Sequence, residues 1–161
     1  MASKSVMKSE LAKNALTNGL TKPTVMQFRV FLASKTGFNV LVQMKINSEV
    51  LFVVSFIIAE RVCENDTQCQ AIVLTPNCQL ANEMQSVNNS LCTSQSTLKD
   101  DIEAVSESVH VIIGTVGRIY DLISIGSISL RDVKLCFILD WESFDSNEVK
   151  DILSLFPDTV Q

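Results

Sequence analysis

The stretch AIVLTP, residues 71–76, is a continuous apolar run that ends at a proline. Such a run predicts a strand at Ala71–Leu74 buried on both faces, and the proline stops it because it has no N–H for a sheet ladder. Three other short apolar runs predict strands at Val40–Val42, Val109–Ile113 and Leu135–Leu139. Continuous rather than alternating apolar runs favour a parallel sheet in which these four strands are neighbours.

Helical patterns separate the predicted strands. The N-terminal segment, residues 1–18, has apolar residues on one helical face from Val6 to Leu16, and a second helix opens at Pro23-Thr24. The polar stretch Asn88–Ser108 is predicted as a long loop, or a loop with one weak helix near Leu98–Val105. The remaining helices are expected at Asn47–Val62, around Leu80–Val87, at Gly117–Ser124 and at Val149–Phe156. Alternation of strands and helices predicts an α/β fold with helices on both faces of the sheet.

Length and composition limit the kind of protein. The 161 residues suit one domain, so residues 1–161 are predicted to form a single domain, and a 47% hydrophobic fraction argues against disorder. The net charge of -5 leans against a strong nucleic-acid binder. The longest apolar run, Val50–Ala59, is too short to span a bilayer, so no membrane association is expected. Five cysteines without a C-x-x-C pair, and one histidine, predict reduced thiols and no metal site.

Five short segments occur in a meaningful order along the chain. GLTKPTVMQ, residues 19–27, ends at Gln27, and VQMK, residues 42–45, ends at Lys45. LTPNCQLA follows at residues 74–81, GTVGRI at 114–119 and ILDWES at 138–143. Together they resemble the Q motif, the strand into the P-loop, motif Ia, motif Ib and the D-E-A-D motif of DEAD-box RNA helicases. The resemblance covers about residues 19–161 and implies the first RecA-like domain of that family.

The resemblance implies a RecA-like, P-loop NTPase-type parallel sheet with helices on both faces. The chain stops before the next strand and its S-A-T motif. This indicates either an incomplete domain at the C-terminus or one part of a longer protein with further domains.

The segment in register with the P-loop, S-G-T-G-K-T, is residues 46–51, INSEVL. Both glycines are absent, and Val50 and Leu51 stand where the phosphate-binding lysine and the magnesium-binding hydroxyl are needed. Glu49 adds a carboxylate where phosphate would lie, and Asn47 or Ser48 is expected to cap the following helix. The predicted result is a degenerate nucleotide site that binds neither ATP nor Mg²⁺ productively.

The degenerate site would comprise Gln27, Lys45, Asn47, Ser48 and Asp140. In the family the glutamine of the Q motif reads adenine. An equally supported interpretation is that Gln27 only caps a helix or faces solvent. Asp140 is retained from D-E-A-D, but the next position, which holds the catalytic glutamate in the family, is a tryptophan. We therefore predict no catalytic residue and no enzymatic activity.

The candidate RNA-contacting residues are Pro76, Thr115, Gly117 and Arg118, which the resemblance places in motifs Ia and Ib. Arg118 is alternatively a charge on a helix surface. Cys78 stands where motif Ia has an arginine, which removes one expected RNA contact.

The only tryptophan, Trp141, is expected to pack over a vacated nucleotide cleft, with a partner-protein anchor as the alternative.

The function expected from these features is that of an inactive helicase-like scaffold in ribonucleoprotein assembly. Protein partners are expected, and any RNA binding would be weak. Tudor-domain proteins of the piRNA pathway carry degenerate helicase domains of this kind, which suggests a cytoplasmic location, including ribonucleoprotein granules. The alternatives are an ATP-independent weak RNA binder that uses Thr115, Gly117 and Arg118, and a weak nucleotide binder that uses Gln27 without hydrolysis.

Overall fold

A computed structural model describes residues 24–63, 65–88, 91–92, 97–106 and 109–161. The side chains of residues 87, 88, 91, 92 and 106 are outside this description. The chain divides into two compact units, Met1–Arg61 and Val62–Gln161. The helix predicted at Val6–Leu16 and the beginning of the Q-motif-like segment lie outside the described residues.

Among its described residues, the first unit contains two helices, α1 at Val25–Ser34 and α2 at Ser48–Arg61. They pack against each other, and the rings of Phe31 and Phe56 meet edge to face with centroids 4.8 Å apart. The prediction of a buried helix through Val50–Ala59 is confirmed, because α2 covers this run and buries most of its apolar side chains.

The strand predicted at Val40–Val42 is wrong. Residues 39–46 have no regular secondary structure, and Leu41 is 88% exposed. A strand is stable only when a neighbouring strand pairs with its backbone, and no described strand pairs with residues 40–42. Three apolar residues in a row were therefore an insufficient signal for a place in the sheet.

The second unit contains the parallel sheet. Its strands among the described residues are β1 at Ala71–Thr75, β2 at Leu91–Cys92, β3 at Val111–Thr115 and β4 at Leu135–Ile138. They lie side by side in the order β2-β3-β1-β4, and every pair is parallel. Three of the predicted strands are confirmed, although β3 begins two residues later than expected. The short β2 was not predicted, because it lies in a polar stretch without an apolar run.

Four helices connect and flank these strands: α3 at Cys78–Asn88, α4 at Leu98–Ser106, α5 at Val116–Ser124 and α6 at Ser146–Leu153. The weak helix predicted near Leu98 is thus confirmed. The crossover β1-α3-β2 runs along the sheet in one direction, and the crossovers through α4 and α5 run in the other. Right-handed crossovers in opposite directions place α3 on one face and α4 and α5 on the other.

Local side-chain contacts fix where several helices begin. The Asn77 carboxamide oxygen accepts a hydrogen bond from the Leu80 N–H at 2.9 Å at the start of α3. At the start of α4, the Asp100 carboxylate accepts a hydrogen bond from the Thr97 N–H, and the Thr97 hydroxyl oxygen accepts one from the Asp100 N–H. The Asp145 carboxylate accepts from the Asn147 N–H at 2.8 Å at the start of α6. These residues satisfy N–H groups that have no partner inside the helix.

The core lies on both faces of the sheet. Val73 and Ile113 are fully buried and alternate along their strands with residues that face the other side. The second face forms one cluster with α5 and α6, composed of Ile72, Leu74, Ile112, Val116, Ile119, Leu122 and Ile152. Both faces of the sheet are therefore covered, as the continuous apolar runs predicted. None of the described helices is long and apolar enough to cross a bilayer.

Two cysteine thiols are held protonated by burial. Desolvation raises the pKa of Cys69 and the pKa of Cys136 to about 12 each, from 9.0. Because the thiolate is the reactive form, both thiols should resist iodoacetamide at pH 8 in the folded protein, while Cys63 and Cys78, which are only partly buried, are modified. Mass spectrometry of the alkylated peptides checks this expectation. Equal labelling of all four thiols under native conditions would contradict it.

Candidate functional site

Gln27 is buried at the start of α1, with 4% of its surface exposed. Its Oε1 accepts a hydrogen bond from the Thr24 N–H at 2.8 Å, and the Thr24 hydroxyl oxygen accepts from the Gln27 N–H at 3.2 Å. Its Nε2 donates to the Glu49 carbonyl oxygen at 3.5 Å. The interpretation of Gln27 as a capping residue is confirmed, and the idea that it faces solvent is wrong. The amide joins the beginning of α1 to the first turn of α2.

The N-terminus of α2 is capped by the chain itself. The Asn47 carboxamide oxygen accepts from the N–H groups of Glu49 at 3.1 Å and Val50 at 3.2 Å. Of the two expected capping residues, Asn47 is therefore confirmed, and Ser48 is the first helical residue. Glu49 lies exposed in the first turn, and Leu51 is buried. Lys45 lies exposed in the irregular segment before the helix.

The candidate RNA residues of the second unit gather where β1 and β3 end. Thr75 and Thr115 are register partners, and each is the last residue of its strand. Pro76 follows β1 and is half-buried, whereas Gly117 is exposed in the first turn of α5. The Thr75 hydroxyl donates to the Gly114 carbonyl oxygen at 3.2 Å. This bond ties the two strand ends together and fixes the spacing of the loops that follow them.

Gly117 has no structural need to be glycine. An added Cβ would meet nothing within 4 Å, and its backbone is helical. Gly117→Ala is therefore expected to raise the free energy of unfolding by up to about 1 kcal/mol, through helix propensity. The matched control is Gly126→Ala, where φ is +77° and the variant should lose about 1 kcal/mol. Urea unfolding measures both, and a loss of stability in Gly117→Ala would show an unrecognised backbone constraint.

Arg118 forms an ion pair with a buried carboxylate. Its Nη1 lies 3.1 Å from Oδ2 of Asp101 on α4, and that aspartate side chain is 1% exposed. The Arg118 side chain is 26% exposed, so it is not a fully solvated surface charge. Neither sequence interpretation of Arg118 included this partner. The sequence did contain an indication that Asp101 is buried, since it falls on the same helical face as the apolar residues Leu98, Ile102 and Val105.

Asp140 and Trp141 follow β4 in a tight turn. Asp140 has a left-handed backbone, with φ 57° and ψ 50°, and its carboxylate accepts from the Ser143 hydroxyl at 2.6 Å. Trp141 begins a short 3₁₀-helix and is 54% exposed. The expectation that Trp141 packs in the core is therefore wrong. Phe144, three residues later, is the aromatic residue of this turn that packs against the hydrophobic cluster.

The candidate residues are distributed over both units. Gln27, Lys45, Asn47 and Ser48 belong to the first unit, and Asp140 belongs to the second with the candidate RNA residues. Within the part of the chain that the structure describes, no three His, Cys, Asp or Glu side chains lie close enough to hold a metal ion.

The second unit has the parallel α/β architecture of a RecA-like domain, with polar loops at the carboxyl ends of its strands. Solved DEAD-box proteins have this fold. A DEAD-box protein from Methanococcus jannaschii aligns with 96% of the chain at a TM-score of 0.81 and 24% identity, over 46% of its own length. Saccharomyces cerevisiae Dbp5, solved with Gle1 and IP6, gives a TM-score of 0.83 at 19% identity, again over 96% of the chain and 43% of its own.

Sequence relatives point to the same group. The chain is 26% identical over 171 residues to the ATP-dependent RNA helicase eIF4A of Pyricularia oryzae, covering 96% of the chain and 43% of that protein. It is 28% identical over 144 residues to eukaryotic initiation factor 4A of Caenorhabditis elegans, covering 83% and 36%. No family model matches the chain. The chain thus resembles DEAD-box RNA helicases and spans less than half the length of these relatives.

Proposed function

We propose that this domain is a helicase-like module that does not hydrolyse ATP and serves as a protein-binding platform in a ribonucleoprotein assembly. The observation that carries the proposal is the start of α2. There the Asn47 side chain occupies two N–H groups, and Glu49 supplies a carboxylate to the same turn. Helix N-termini bind phosphate through free N–H groups and a positive local potential. In this chain Asn47 already binds these N–H groups, and the Glu49 carboxylate already offsets the positive potential.

The residues at this helix do not fit ATP and Mg²⁺. Phosphoryl transfer needs a lysine on the β- and γ-phosphates and a hydroxyl on the metal ion. Val50 and Leu51 offer neither a charge nor an oxygen ligand, and Leu51 points its side chain into the core of the unit. No catalytic step is therefore assigned to this domain. Measurement of ATP binding and phosphate release tests the proposal.

The platform role is supported by how a structural neighbour was solved. Dbp5, which shares the fold over 45% of its length, was solved bound to Nup159 and Gle1, so a protein that contains a domain of this fold takes part in protein complexes. Residues 62–161 of the present chain hold fifteen acidic and five basic residues, a net charge of -10. Such a unit repels nucleic-acid phosphate and favours protein partners with basic surfaces.

ATP-independent RNA binding is the second candidate function. Thr115 and Gly117 lie at a helix start at the carboxyl edge of the sheet, which is a usual place for ligands in this fold class. The ion pair of Arg118 with Asp101 and the charge of -10 weaken this candidate. Retention of single-stranded RNA at low and high salt separates it from the platform role.

A further inference from the structure

Trp141 is presented to solvent by an ordered turn. The Asp140 carboxylate and the Ser143 hydroxyl close the turn at 2.6 Å, and the Phe144 N–H donates to the Trp141 carbonyl oxygen at 3.2 Å. Phe144 anchors the segment on the hydrophobic cluster, and Asp145 caps α6 directly afterwards. An exposed indole on a backbone turn that is already held in place adds little backbone ordering cost when it binds a partner.

The segment that carries Trp141 is strongly acidic. Residues 140–151 contain five acids, all exposed, and one lysine: Asp140, Glu142, Asp145, Glu148, Asp151 and Lys150. This concentration lies in a unit that already has a net charge of -10. An indole face attracts cations, and arginine more often than lysine because its planar guanidinium also stacks on the ring.

We propose that Trp141 and the exposed acids of residues 140–151 form a docking surface for an arginine-rich segment of a partner protein. This inference rests on the proposed function and deepens it, because it names the chemistry of the partner. The indole supplies an apolar anchor of the kind that dominates protein interfaces, and the carboxylates attract and orient the basic side chains. RNA does not fit this surface, because its phosphates would face the carboxylates.

The test uses a fluorescently labelled deca-arginine peptide and the full chain. Trp141 is the only tryptophan, so a change in its emission on titration reports directly on contact at this residue. Trp141→Ala is expected to weaken peptide binding about tenfold, measured by fluorescence anisotropy, and Trp141→Phe is expected to restore part of the loss. A deca-lysine peptide should bind more weakly than deca-arginine.

Two matched controls separate the surface from general charge and exposure. Tyr120→Ala removes an aromatic ring of similar exposure, 42%, from α5 and should leave binding unchanged. Glu142→Gln should weaken binding and reduce its salt dependence, whereas Asp132→Asn, in the turn before β4 and at the opposite end of that strand, should not. Circular dichroism and urea unfolding establish that every variant is folded.

Several results would overturn the inference. These are equal affinity of the Trp141→Ala variant, equal losses in Asp132→Asn and Glu142→Gln, and RNA binding that depends on Trp141. A dimer that disappears in Trp141→Ala would assign the surface to a second copy of the chain instead. Absence of any peptide binding would contradict the docking surface but not the proposed role as a protein-binding platform. Detection of ATP hydrolysis defeats the proposed function and does not affect the peptide result.

Discussion

Titration of the protein with ATP and Mg²⁺ is expected to show no binding heat, and phosphate release is expected to be absent with and without RNA. Several features of the chain act together against ATP binding and hydrolysis. Cations that stabilise the developing charge, and a loop of free N–H groups, provide most of the catalysis in phosphoryl transfer. In the register that the resemblance implies, Val50 and Leu51 stand at the two cation-related positions, and the helix start is capped by Asn47 with Glu49 in the first turn.

A single reversion should not restore activity. Val50→Lys adds a positive charge but leaves Leu51, Glu49 and the Asn47 cap in place. We expect this variant to remain folded, because Val50 is only half-buried, and to bind no more ATP than the natural chain. Leu51→Thr is less suitable as a test, because Leu51 is buried and the substitution removes apolar contacts at a cost of about 2 kcal/mol.

The outcome that contradicts this prediction is tight, magnesium-dependent ATP binding or RNA-stimulated phosphate release by the natural sequence. Circular dichroism first establishes that the assayed protein is folded. Thermal unfolding with and without nucleotide provides an independent check, since a ligand that binds only the folded state raises its stability.

Arg118→Met is expected to destabilise the second unit by about 3 to 5 kcal/mol, because it leaves the buried carboxylate of Asp101 without its cation. Asp101→Asn should cost less, about 1 to 2 kcal/mol, because Arg118 is partly exposed and water can solvate its guanidinium. Urea unfolding of both single variants and of the double variant measures the coupling between the two side chains. Equal and small losses of unfolding free energy in both single variants would contradict the expectation that Arg118→Met costs more than Asp101→Asn.

The same variants test the RNA alternative. If the ion pair with Asp101 prevents Arg118 from binding RNA, Asp101→Asn should increase retention of single-stranded RNA at low salt. The double variant with Arg118→Met should not show this increase. The gain should be independent of base sequence, because a phosphate contact carries no base information. The salt dependence of binding should also steepen by about one unit of slope for the one added contact. No change in Asp101→Asn would remove Arg118 from the list of RNA contacts.

Parts of the candidate site could be predicted because they depend on local chemistry. An asparagine before a helix caps it through its own side chain, so Asn47 was identifiable without tertiary information. Gln27 was assigned to adenine contact, to capping or to solvent; its burial excludes solvent, its hydrogen bonds show capping, and adenine contact stays a prediction. Burial depends on what packs over a residue, which a local pattern does not contain.

The class of fold and the chemistry available at the helix starts followed from the sequence alone. Continuous apolar runs at Ala71–Leu74 and Leu135–Leu139 predicted strands buried on both faces, and they lie next to each other in the parallel sheet. Tertiary structure alone decided the pairings between distant residues. Val40–Val42 has no described partner strand, Arg118 meets Asp101 from another helix, and Phe144 packs against the core cluster while Trp141 is exposed. Each of these depends on which segments become neighbours in space, because a ladder, an ion pair or a filled cavity requires a partner that lies elsewhere in the chain.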